Sequence, residues 1–97
     1  MPTYIMLVRY TQQGIEKIKE GPSRLDASKK AFEAMGAKVK DFYLVMGQYD
    51  VVVVVEAPDD ETMSKLALSV GSKGATRTET LRAYTENEFR KIVAALP

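Results

Sequence analysis

Residues 47–56 read Gly47-Gln48-Tyr49-Asp50-Val51-Val52-Val53-Val54-Val55-Glu56, a polar turn followed by five consecutive valines. Branching at Cβ holds each valine in extended backbone, so the run predicts a strand. Successive strand side chains point to opposite faces, and a strand of valines is therefore apolar on both. Such a strand belongs at the centre of a sheet, because at an edge it would template aggregation. Asp50 and Glu56 bracket it with charge in the manner of gatekeepers. Gly47 permits positive φ and Asp50 can accept from nearby N–H groups, so residues 47–50 predict a tight turn.

On the N-terminal side of the turn, Lys38–Met46 reads as a strand, with Val39, Phe42, Leu44 and Val45 apolar but imperfectly alternating. On the C-terminal side, Pro58-Asp59-Asp60-Glu61 opens a helix: Asp59 can cap it, and the carboxylates complement the positive end of the helix dipole. Met63, Leu66, Ala67 and Val70 then recur at helical spacing, and Gly71 and Gly74 close the segment. Thr76–Tyr84 predicts a strand polar enough for a sheet edge. Thr85 with Glu88 forms a capping box for a C-terminal helix carrying Phe89, Ile92, Val93 and Leu96.

The N-terminal segment supplies the other central strand. Tyr4, Met6, Val8 and Tyr10 share one face of Tyr4–Tyr10, while Ile5, Leu7 and Arg9 share the other, so both faces are largely apolar. A short helix at Ile15–Glu20 is expected to break or kink at Gly21-Pro22-Ser23. A second helical stretch runs from about Arg24, with Leu25, Ser28, Phe32 and Met35 on one stripe and Gly36 beyond its end.

The order is β-α-β-β-α-β plus a terminal helix. Right-handed crossovers turn it into an α+β, ferredoxin-like four-stranded antiparallel sheet with the helices on one face. A single domain over residues 1–97 is expected. The helices cover only one face, and a bare apolar sheet face exceeds what a soluble monomer usually exposes. The favoured cover is a second copy, sheet to sheet, in a two-fold homodimer or a larger homo-oligomer. The other reading lays the C-terminal helix across the open face of its own chain.

Composition narrows the chemistry. The 97 residues contain no Cys, no His and no Trp, with 14 Lys plus Arg against 13 Asp plus Glu. Thiol nucleophiles, thiolate metal sites, disulfides and His-activated nucleophiles are thereby removed. No cofactor or metal is expected. The near-neutral charge offers no case for nucleic acid or an anionic membrane. The longest apolar run is too short to span a bilayer, and cytoplasmic location is the default expectation.

Two features are candidate sites. In the turn, Gly47, Tyr49 and Asp50 would place a hydroxyl and a carboxylate beside the sheet end, where they could hold a small polar ligand. The plainer reading is a hairpin turn. In the fourth strand, Arg77, Glu79 and Leu81 share one parity, and Thr76, Thr78, Thr80, Arg82 and Tyr84 the other. One row, together with Arg9, could face a cavity between two sheets and bind a carboxylate or phosphate bidentately. The plainer reading is an edge strand guarded by charge. Asp59, Asp60 and Glu61 are read as helix-capping residues, since successive residues of a first turn diverge. The lysines are dispersed among acids and read as a solvated surface.

The Gly47-x-Tyr49-Asp50 turn, the valine strand, Glu56-Ala57-Pro58-Asp59-Asp60 and Thr78-x-Thr80-Leu81-Arg82-Ala83 together resemble the GYD domain family, from Tyr4 to about Ile92. The resemblance implies a small bacterial protein of the dimeric α/β-barrel type, in a family of unassigned role. A more distant similarity to the ligand-binding RAM domains of AsnC-type regulators implies an effector site at Gly47, Tyr49 and Asp50, although the chain has no helix-turn-helix segment. Three functions follow as expectations. The first is a small-metabolite-binding or regulatory module using Gly47, Tyr49 and Asp50, with Arg9, Arg77 and Arg82 as anion ligands. The second is a cofactor-independent enzyme with a Tyr/Asp/Arg site in the α/β-barrel cavity between helices and sheet, whose first suspects are Tyr4, Tyr10, Tyr49 and Asp50. The third is a structural subunit with the open sheet as its interaction surface.

Overall fold

The computed structural model describes all 97 residues. Strand β1 spans Thr3–Tyr10, helix α1 Gln12–Glu16, and a 3₁₀ turn Ile18–Glu20 leads into helix α2, Gly21–Ala34. Strands β2 (Lys38–Leu44) and β3 (Val51–Glu56), helix α3 (Asp60–Ser72), strand β4 (Thr76–Ala83) and helix α4 (Glu86–Ala94) follow. The sheet order is β2-β3-β1-β4 with every pair antiparallel, the ferredoxin-like arrangement. The valine strand and the N-terminal strand hold the two central positions, as their two apolar faces require.

Helix α2 starts earlier than the sequence suggests. Pro22 does not end a helix but sits in the first turn of α2, where its missing N–H has no helical acceptor to lose.

Core packing lies on one side of the sheet. Tyr4, Met6 and Val8 of β1 and Val51, Val53 and Val55 of β3 meet Phe32 of α2 and Met63 and Leu66 of α3 in one cluster of 11 buried residues. Asp59 caps α3 by accepting from the Thr62 N–H at 2.8 Å, and this bond holds its carboxyl below the ordinary value. The neighbouring carboxylates go elsewhere: Asp60 accepts from the Tyr4 hydroxyl, and Glu61 pairs with Lys65 at 3.6 Å.

A tight knot joins the end of β1 to the start of β4. The Thr11 N–H donates to the Ala75 carbonyl at 3.0 Å, and its hydroxyl donates to the Gly74 carbonyl at 2.6 Å. That hydroxyl also accepts from the Gly14 N–H at 3.1 Å. Gly14 comes so close that a Cβ there would lie 2.0 Å from the Ala75 oxygen. Only glycine allows this approach.

The opposite face of the sheet carries a row of Lys38, Glu56, Thr3 and Ala83 at one end and three further rows across the strands. One is Asp41, Val54, Ile5 and Leu81; the next is Tyr43, Val52, Leu7 and Glu79; the last is Arg9 with Arg77. Its centre is apolar and its margins are charged. No helix covers it. The capping box of α4 is complete, with the Glu88 N–H donating to Thr85 Oγ1 at 3.2 Å and the Thr85 N–H to Glu88 Oε1 at 2.9 Å. Yet α4 makes no extensive packing with any other element, and Phe89, Ile92, Val93 and Leu96 are exposed. The radius of gyration is 14.6 Å, against about 12–13 Å expected for a domain of this length. Thus α4 projects and does not lie across the open face. No helix is long and apolar enough to cross a membrane.

Candidate functional site

The turn between β2 and β3 folds against the far end of β1. Gly47 has φ +124°, and a Cβ added there would meet nothing within 4 Å, so backbone conformation and not crowding calls for glycine. Asp50 closes the hairpin. Its carbonyl accepts from the Val45 N–H at 2.8 Å, and its N–H donates to the Val8 carbonyl at 2.8 Å. Its carboxylate Oδ2 accepts from the Tyr10 N–H at 2.9 Å, satisfying a strand donor that β3 no longer reaches.

Tyr49 turns onto the open face of the sheet. The Arg9 guanidinium stacks 4.6 Å from its ring centroid, and Arg9 Nε donates to the Gln48 carbonyl at 2.7 Å. The Tyr49 hydroxyl donates to Glu79 Oε1 at 3.2 Å. Arg77 stands directly opposite Arg9 in the β1–β4 ladder, and neither guanidinium is in an ion pair. The structure therefore gathers Arg9, Tyr49, Glu79 and Arg77 at one end of the open face, with Gly47 and Asp50 shaping the turn beside them.

Arg82 lies apart from this group. Register places it opposite Tyr4, at the other end of β1 and on the helix side. Its guanidinium donates to the carbonyls of Thr3 and Ala83 and stacks 4.5 Å from the Tyr84 ring centroid and 5.6 Å from that of Tyr4. Tyr4 is 3% exposed and donates its hydroxyl to Asp60 Oδ1. Burial first, and the Asp60 carboxylate second, push its pKa up to about 12. At neutral pH it is a neutral hydrogen-bond donor, poorly suited to act as a base. Tyr4, Asp60, Ser64, Thr80 and Arg82 line a cavity of ≈ 210 Å³. Thr80 Oγ1 is buried there without a hydrogen-bond partner.

A second cavity, of ≈ 180 Å³, lies between α2 and the sheet, and Tyr10 is part of its wall. Neither cavity is lined by Gly47, Tyr49, Asp50, Arg9 or Arg77. Three residues that no sequence pattern marked as ligands matter to these sites. Glu79 shares strand parity with Arg77, which was available as a signal. Arg24 and Lys73, in the wall of the second cavity, carried none beyond being basic residues near helix ends.

A βαββαβ chain with this sheet order and an uncovered sheet face is a ferredoxin-like α+β protein. The chain matches the GYD domain family over residues 4–93, and it belongs to that family. It is 38% identical over 84 residues to the "Glutamine synthetase and cystathionine beta-lyase binding protein" of Thermus thermophilus, spanning 86% of this chain and 88% of that protein. A crystal structure of a protein from Thermus thermophilus is similar at a TM-score of 0.57 and 28% identity, covering 88% of this chain and 95% of that chain. A hypothetical protein from Pyrococcus horikoshii has the same fold at a TM-score of 0.57 and 22% identity, covering 89% of this chain and 93% of that chain.

Proposed function

We propose that the chain is a binding module assembled from two copies, sheet face against sheet face, and that the assembly docks on other proteins. One observation carries this reading: the apolar centre of the open face and the apolar stripe of α4 both lack cover within the chain. Tyr43 and Leu81 are exposed there, and Ile5, Leu7, Val52 and Val54 are half-buried. A two-fold axis brings each apolar row against an equivalent one, and it lets α4 of each copy reach the other. A protein partner is supported by the Thermus thermophilus relative, whose name describes binding to two enzymes. Light scattering across a micromolar concentration series tests the assembly. The expected result is a dimer that Val54→Glu converts to a folded monomer; a wild-type monomer throughout would overturn the reading.

A second reading is favoured by the Arg9–Arg77 pair. Like charges directly opposite in a ladder repel, and an anion between them relieves that repulsion. In this reading a small polar metabolite bearing a carboxylate or phosphate sits on the two guanidiniums beside Tyr49, at the face where the copies meet. Thermal-shift screening with small carboxylates and phosphates tests it. Arg77→Gln should abolish the shift while the dimer persists; an unchanged shift in that variant would exclude the site.

A further inference from the structure

We propose that the cavity between α2 and the sheet binds a small amphipathic carboxylate, its apolar body against the sheet and α2 and its charged end held by Arg24 and Lys73. The cavity has a cause in the sequence. Leu25 and Phe32 are large members of the α2 stripe, but Ser28 lies between them, and Ala27 and Gly21 are also small. Facing this gap, the sheet presents Met6, Val8, Val51 and Val53, all apolar and all buried. A helix that lacks one large side chain opposite a flat apolar sheet leaves a void that neither surface can close. Its volume is ≈ 180 Å³, somewhat more than the roughly 150 Å³ apolar cavity known to admit benzene.

The polar groups determine what kind of molecule fits. Arg24 and Lys73 line the cavity, and no Asp or Glu does. Neither cation is in an ion pair. Arg24 is half-buried and has a single long hydrogen bond, from Nη2 to the Gly14 carbonyl at 3.4 Å. Lys73 is exposed, so the charge lies at the solvent side of an otherwise apolar space. Tyr10, Ser28 and Thr76, which carry hydroxyls, are also in its wall. An ammonium group would find no carboxylate here, which disfavours free amino acids and alkylamines. A carboxylate would gain two cations that are in no ion pair.

This site is on the covered side of the sheet, away from the open face, so its test is separate from that of the assembly. Titration calorimetry of the intact protein with butanoate, hexanoate and octanoate, and with octanol and octylamine, tests it. Affinity should rise about four-fold per added methylene until the cavity is full. Octanol should bind about ten-fold more weakly than octanoate, and octylamine more weakly still. Arg24→Gln and Lys73→Gln, both at the rim, should each weaken octanoate without changing octanol. Ser28→Leu should fill the void and abolish binding of both. The proposal is overturned by equal affinities for octanoate and octanol, by unchanged octanoate binding in Arg24→Gln or Ser28→Leu, or by no saturable binding across the carboxylate series.

Discussion

Val51, Val53 and Val55 are 2%, 8% and 0% exposed, whereas their neighbours Val52 and Val54 in the same strand are only half-buried. The residue type, strand and backbone conformation are the same, so only what lies above each face differs. Helices α2 and α3 pack on one side of the sheet, as right-handed crossovers dictate, and leave the other side without a helix. The covered face is completed by the chain itself; the open face has an apolar centre and no cover within the chain.

Substitutions can test that contrast. The largest effect is expected where the covered side is tied down: Gly14→Ala puts a methyl group 2.0 Å from the Ala75 oxygen, and a loss above ~4 kcal/mol in denaturant unfolding is expected. Next comes a matched pair. Leu66, 1% exposed under α3, should cost about 3 kcal/mol when changed to Ala. Leu7→Ala on the open face should cost about 1 kcal/mol in a dissociated chain. In a dimer, its cost should grow with protein concentration. Equal, concentration-independent losses at the two positions would break the contrast.

Smaller effects follow from pH and capping. Because Tyr4 has its folded pKa raised from 10.0 to about 12, folding favours its protonated form. Its contribution is complete below pH 10 and is lost as pH rises through about 12. Tyrosinate absorbance should show Tyr4 titrating late, and Tyr4→Phe should remove both that titration and its share of the alkaline loss. The smallest effect belongs to α4. Thr85→Ala removes the cap and should cost about 1 kcal/mol of helix stability. With α4 projecting from the body, hydrogen exchange should speed up in Glu86–Ala94 while the melting temperature of the isolated chain stays unchanged. A lower melting temperature would mean that α4 is packed, as it would be against a second copy.

Much of the site was legible in strand parity. Arg77 and Glu79 share a face in the sequence, and the structure sets them with Arg9 and Tyr49. Parity also separated Arg82 from Arg77, and register then moved Arg82 to the far end of β1, beside Tyr4. The acceptor role of Asp50 followed from its turn, but its donor, Tyr10 N–H, is 40 residues away in sequence and known only through register. Pro22 looked like a break because a proline disrupts a helix interior. It begins a helix here because the first turn needs no N–H from it.

The sequence by itself determined the element order, the two central strands, the caps at Asp59 and Thr85, and the absence of thiol and imidazole chemistry. These depend on side-chain branching, periodicity and local hydrogen bonds, all of which act within a few residues. Only the tertiary structure decided that α4 stands away from the sheet, that Arg9 and Arg77 stand opposed, and that the small residues of α2 leave a cavity lined by two cations outside any ion pair. Those outcomes depend on register and on the distance between layers, which arise only when distant segments pack together.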